Sequence, residues 1–215
     1  FDTPLYADRL KVGRIGASYD FVDAFTAVNR FDGVISKGFG WDDNSGSGLR
    51  SRVGGETDFW KFNAQVSRLQ PLQGPFSFYV TALGQAASGK MLSAEQFGLG
   101  GPNILSGYDP SEVTGDAGLA GRAEIQYSQS GAYEYLSAYQ LYVFYDGGQV
   151  WTRNPAAGVE QSLSLASMGA GIRFNITAPL SGSFEVAQPL TKNVNALQPN
   201  HGDDTRAFFT LAYRF

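Results

Sequence analysis

Nine stretches of this chain alternate apolar with polar or small residues, at about 9–21, 25–38, 58–70, 75–88, 117–128, 137–151, 163–176, 180–190 and 205–215. No stretch of comparable length keeps a 3.6-residue period, so the pattern predicts strands almost throughout and no long helix. The last stretch shows the rule most plainly: Ala207, Phe209, Leu211, Tyr213 and Phe215 share one face, and Arg206, Phe208, Thr210, Ala212 and Arg214 the other. Leu119, Ala123, Ile125 and Tyr127 oppose Arg122, Glu124 and Gln126. In the next stretch Tyr139, Leu141, Val143 and Tyr145 oppose Gln140, Tyr142, Phe144 and Asp146.

Alternation alone also fits a soluble sandwich with one wet face. Two details favour a membrane barrel. The stretches run to roughly ten residues or more, longer than the usual soluble strand and the length of a tilted transmembrane strand. Charged residues sit in mid-strand, where a barrel with a wet interior keeps them and a dry core does not. Aromatic residues make up 14% of the chain, which contains no Cys. That excludes a disulfide scaffold and a thiolate zinc site. No apolar run reaches the length of a transmembrane helix. A net charge of -4 argues against non-specific nucleic-acid binding.

The connections give a separate indication. They are short at 22–24, long at 39–57, short at 71–74, long at 89–116, modest at 129–136, moderate at 152–162, short at 177–179 and long at 191–204. Outer-membrane barrels alternate tight periplasmic turns with long outer loops in this way, and 129–136 is the one mild exception. Trp41, Trp60 and Trp151 all fall at strand ends facing the long loops, as an interfacial girdle requires. Phe21, Phe25, Phe76, Phe78, Tyr127 and Phe215 fall towards the other rim. Nine is an odd count, whereas single-chain bacterial barrels have even counts. An open sheet would leave unpaired edges in lipid. The expectation is therefore the C-terminal part of a larger barrel, or else one further strand within 1–8. A piece with open edges pairs with a second copy, closes as eight or ten strands, or is masked by detergent.

Residues 92–128 read LSAEQFGLGGPNILSGYDPSEVTGDAGLAGRAEIQY. In order they supply Ser93, Glu95, Gln96, Phe97, Gly100, Gly101, Gly107, Tyr108, Gly115, Asp116, Gly118, Leu119 and Gly121. Farther on, Phe144, Asp146 and Gly148 form a Phe-x-Asp-x-Gly motif. Together these resemble the two-partner secretion transporters of the haemolysin-activator family, within the superfamily of the Bam-type assembly protein. DRLKVGRIGASYDFVD and SRLQPL are similar to that family too, and Phe215 resembles the C-terminal signal of outer-membrane barrels. The resemblance implies a sixteen-stranded barrel in the bacterial outer membrane, preceded by POTRA domains. By that mapping residues 1–215 are its last nine strands, and 89–116 folds back into the lumen. It also implies transport of an unfolded secreted partner protein.

One position departs from the family's motif. Where an Arg would precede Gly107 and Tyr108, this chain has Ser106. Asp146 would then lack its Arg partner from the loop. Arg122, on the lumen face of the preceding strand, is the candidate replacement, with Glu124 competing for it. Otherwise Asp146 is simply hydrated. Gly100, Gly101 and Gly107 read either as turn formers or as places where the loop runs close against the wall. Gly147-Gly148 marks a bulge or a close approach.

Enzyme chemistry finds little support. The only His, His201, lies in a loop beside Asp203 and Asp204, whose spacing fits no known ligand loop. Gly46-Ser47-Gly48 is not a nucleophile elbow, no phosphate loop occurs, and 42–52 reads as a polar, mobile segment. The expectation is a translocator without cofactor, with outer-membrane lipid and a secreted protein as partners and no nucleic acid. Alternatives are a barrel-assembly factor, an export barrel for a fused enzyme domain, or a passive porin.

Overall fold

The computed structural model describes residues 6–40, 50–133, 136–155, 157, 160–177, 179–191 and 204–214. Nine of its eleven strands form one antiparallel sheet, ordered β1-β2-β3-β4-β7-β8-β9-β10-β11. These are β1 (Val12–Val22), β2 (Val28–Phe39), β3 (Asp58–Pro71), β4 (Phe76–Ala87), β7 (Ala117–Tyr133), β8 (Leu136–Trp151), β9 (Ser162–Thr177), β10 (Leu180–Pro189) and β11 (Arg206–Tyr213). Every predicted stretch is a strand of this sheet. Between β4 and β7 lie a single 3-10 turn (Ser93–Glu95) and a small hairpin, β5 (Phe97–Leu99) with β6 (Val113–Gly115). Three-residue strands are too short to show a period, so that hairpin is invisible to alternation. No helix among the described residues is long and apolar enough to cross a membrane.

The two faces differ as the alternation requires. Leu119, Ile125, Leu141, Val143, Tyr145, Phe209 and Leu211 are exposed on the outer face, while Arg122, Glu124, Gln126, Tyr142, Phe144 and Asp146 are buried on the inner one. A sheet inverted in this sense, apolar outside and polar inside, is stable only with lipid against its outer wall. Trp60 and Trp151 are exposed at the long-loop rim; Trp41 and Phe215 lie outside the described residues. At the opposite rim Phe76 meets Tyr127 edge-on at 5.4 Å, and Tyr19 stacks on Phe21 at 5.5 Å.

The β7–β8 hairpin corrects the reading of 129–136. Pairing continues through Ser128↔Gln140 and Ser130↔Ala138 to Tyr133↔Leu136, with a register shift between Ser130 and Tyr133. Gly131 takes φ +67°, the left-handed conformation that a bulge uses. Only two residues therefore separate the paired strands, and short and long connections alternate without exception. The first turn is held by Asp23, which accepts hydrogen bonds from the Phe25 and Ala27 amides and from Asn29 and Arg68. Burial pushes the Asp23 carboxyl up, but these donors together hold it below the usual value.

The sheet does not close as an eight- or ten-stranded barrel. It ends at β1 and β11, and no pairing joins them among the described residues. The reason is directional: in a nine-stranded antiparallel order the first and last strands run the same way. They cannot complete an antiparallel ring.

Candidate functional site: the segment docked on the polar face

Residues 88–116 fold back against the inner face near the long-loop rim, pinned first at their base. Asp116, fully buried, accepts the amides of Met91 (2.6 Å) and Arg153 (2.7 Å) and pairs with the Arg52 guanidinium, whose Nη1 also donates to Met91 O at 2.9 Å. Glu95 accepts Arg14 Nη2 at 2.6 Å and Lys61 Nζ at 2.5 Å, while Gln85 donates to the carbonyls of Glu95 and Asp116. Contacts from β1, β3, β4 and the 50–57 loop thus fix both legs of the segment. Arg52 belongs to a stretch that composition marked as mobile. Within its described part, Ser51 N also donates to Asp8 Oδ1 at 3.0 Å, so 50–52 is anchored.

Apolar side chains then fill the space under the segment. Phe97, Leu99, Ile104, Leu105, Tyr108 and Val113 pack with Ala120, Val150 and Leu165 of the wall. The wall makes room with glycine: a Cβ on Gly118 would lie 2.0 Å from Phe97, and one on Gly148 would lie 2.8 Å from Leu99. Gly148 marks a close approach and not a bulge, because the β7–β8 register runs unbroken through it. Gly100 and Gly101 serve the segment itself. Both take positive φ, and a Cβ on Gly100 would strike Asp109 O at 2.2 Å. Only Gly107 of the three presses on the wall, where a Cβ would lie 2.9 Å from Pro189 N and from Ser167 Cβ.

The tip is a turn closed by Tyr108 N donating to Leu105 O at 3.0 Å, with Leu105 at φ +62°. Its amides face the wall. Leu105 N donates to Asp146 Oδ2 at 2.8 Å, and Gly107 N to Ser167 Oγ at 3.4 Å. Ser167 in turn donates to Asp146 Oδ1. Asp146 and Ser167 are register partners on β8 and β9. The Tyr108 hydroxyl lies 2.8 Å from Ala166 O and accepts Thr191 N at 2.9 Å. Asp109 meets Arg206 at 2.6 Å. A carboxylate held by main-chain N–H groups around a left-handed residue is a small anion nest. Ser106 is fully buried, and its hydroxyl has no hydrogen-bond partner among the described residues. Orphaned buried hydroxyls cost about 1–3 kcal/mol. Ser106→Ala is expected to leave docking as tight or tighter, read as an equal or longer half-life of the segment under protease.

Beside the turn lies a charge network across four strands. Arg122 is the register partner of Asp146, but its hydrogen bonds go elsewhere: Nε to Glu124 at 2.9 Å and Nη2 to Glu185 at 2.5 Å. Its Nη1 stands 3.7 Å from Asp146 Oδ2, an ion-pair contact without a hydrogen bond, and the guanidinium stacks 3.6 Å over the Phe144 ring. Arg173 grips Glu124 through both terminal nitrogens at 3.0 Å and lies 3.8 Å over Tyr142, whose hydroxyl donates to Glu185 at 2.8 Å. Two guanidiniums therefore serve three carboxylates. A polar cleft of about 370 Å³ separates them from Pro102–Ile104.

Of the motif residues, Ser106, Gly107 and Tyr108 thus sit at the turn that Asp146 receives, Phe144 lies under Arg122, Glu124 pairs with Arg122, and Gly148 faces Leu99 farther along the segment. His201 and Asp203 lie outside the described residues. Sequence reasoning missed Arg52, Ser167, Arg173, Glu185 and Arg206 as contacts. Strand parity puts Arg173 and Glu185 on the inner face, the signal that could have flagged them.

The chain is similar to several known proteins. The model of the haemolysin secretion/activation protein ShlB/FhaC/HecB family matches residues 5–174. The heme/hemopexin transporter protein HuxB of Haemophilus influenzae (strain 86-028NP) is 25% identical over 142 residues, 65% of this chain and 25% of that protein. HuxB of strain Rd matches to the same extent. CdiB from Escherichia coli has the same fold, with a TM-score of 0.71 at 21% identity, over 95% of this chain and 36% of that one. The chain spans about a quarter of the length of the curated relatives it matches.

Proposed function

Because the chain belongs to the haemolysin secretion/activation family, we propose that it is the C-terminal part of an outer-membrane barrel that exports a secreted partner protein in unfolded form. The observation that carries this reading is the docked segment 88–116 on a polar inner wall. A passive porin has no need of a segment tied down by Asp116, Glu95 and Asp146 together. A translocator needs one that blocks the pore at rest and leaves during transport.

The inner wall suits an unfolded cargo. Towards the turn rim, Ser128, Gln140, Asn175, Ser183 and Thr210 bring hydroxyls and amides to one open cleft, beside Ala138 and Ala212. Bare backbone amides crossing lipid would cost several kcal/mol each, and such side chains replace the lost water. The edges of β1 and β11 call for further strands, and we assign these to the same protein, with POTRA domains ahead of them.

The test is deletion of the complete reading frame, followed by assay of the secreted protein encoded beside it. That protein is expected to vanish from the medium and collect in the periplasm. Undiminished secretion, with other outer-membrane barrels falling in abundance, would establish an assembly factor instead.

A further inference from the structure

The turn at 105–109 touches more of the wall than a single lock requires. Leu105 reaches Asp146 on β8, Gly107 reaches Ser167 on β9 and lies against Pro189 of β10, and Asp109 reaches Arg206 on β11. Four consecutive strands are crossed within five residues. Arg206 opens β11, at eight residues the shortest strand of the nine-stranded sheet. A short strand holds few ladder hydrogen bonds and opens locally at low cost.

We infer that Ser167 and Arg206, with Asp146, form the wall side of one latch, and that the docked turn braces β8–β11 so that its release loosens β11. Ser167 is the positioning residue. It donates to the buried Asp146 carboxylate and accepts the Gly107 amide, so its hydroxyl sets both the acceptor and the turn against it. The Asp109–Arg206 pair is partly exposed, with side chains at 42% and 27%. Its effect is therefore modest and lies in coupling rather than in bulk stability. The inference rests on this geometry and would survive failure of the export reading. Should that reading hold, withdrawal of the plug and softening of β11 become one event.

The test uses the protein expressed from its complete reading frame, in isolated outer membranes. Two readouts are taken: protease cleavage within 102–109, and amide hydrogen exchange in 206–213. Ser167→Ala is expected to raise cleavage about tenfold, what loss of a buried hydrogen bond gives. It should also raise exchange in β11, which Ser167 does not touch. Arg206→Gln and Asp109→Asn are each expected to raise both readouts about two- to fivefold, the effect of a partly exposed ion pair. The double variant should add nothing further. Both single charge variants remove a surface pair and so keep the fold. The inference is overturned if Ser167→Ala leaves β11 exchange unchanged, or if Arg206→Gln frees β11 without altering cleavage of the turn. No secretion assay enters either readout, so the outcome is independent of what is exported.

Discussion

Arg122→Ala is expected to destabilise the sheet by about 3–5 kcal/mol, the cost of leaving buried charges without their partner. Arg122 is 4% exposed at its side chain and stands among Glu124, Glu185 and Asp146, exposed 2%, 12% and 0%. Without it three carboxylates share Arg173, which is already committed to Glu124 through both its terminal nitrogens. Glu185 keeps the Tyr142 hydroxyl, and Asp146 keeps Ser167 and the Leu105 amide. Neutral donors do not replace a cation in a half-dry site. Denaturant unfolding in micelles measures the loss, and faster cleavage of 102–109 shows that the turn feels it. Arg122→Lys keeps the charge but not the fork geometry and should recover only part. If charge imbalance is the cause, Glu185→Gln in the Arg122→Ala background restores stability in part. If packing on Phe144 is the cause, it does not. Wild-type stability in Arg122→Ala would refute the network account outright.

Asp116→Ala is expected to have an effect of similar size at a different place. Its carboxylate joins the 50–57 loop, the leg of the docked segment at Met91 and the stretch just after β8 at Arg153. Removal strands two amides and leaves Arg52 on the Met91 carbonyl. Breaking a buried pair costs about 3–5 kcal/mol, and each orphaned donor adds to it. The site of failure distinguishes the two variants. Asp116→Ala should open the base of the segment, with new protease sites at 89–96, before the tip at 105–109 lets go. Asp116→Asn retains one acceptor and should be milder. Cleavage appearing first at the tip would show that the base does not hold the segment.

The strands were legible because lipid and water impose opposite demands on the two faces of each strand, and alternation records those demands residue by residue. Arg122, Glu124 and Asp146 fall on the inner face by parity alone. The partners within that face were not legible. Arg52 meets Asp116 across 64 residues of sequence and Arg14 meets Glu95 across 81, and no local pattern encodes such distances. The register itself was hidden: Arg122 lies opposite Asp146, yet the shorter bonds go to Glu124 beside it and to Glu185 three strands across. Ser106 shows the same limit from the other side. Its replacement of an expected Arg drew attention to a missing ion pair, whereas the turn is held through main-chain N–H groups, on which side-chain spelling is silent.

Docking by main-chain N–H has a corollary for how this protein tolerates change. Every amino acid but proline supplies the same donor, so the carboxylate itself does not read which side chain residue 105 carries. The limits on the turn are of space instead: Leu105, Ser106 and Tyr108 are fully buried, and at Gly107 the two surfaces touch too closely for any side chain. The receiving side is limited by chemistry, since an oxygen must stand at 146 and a hydroxyl at 167. Saturation mutagenesis should therefore sort the turn by volume and polarity and the wall by functional group.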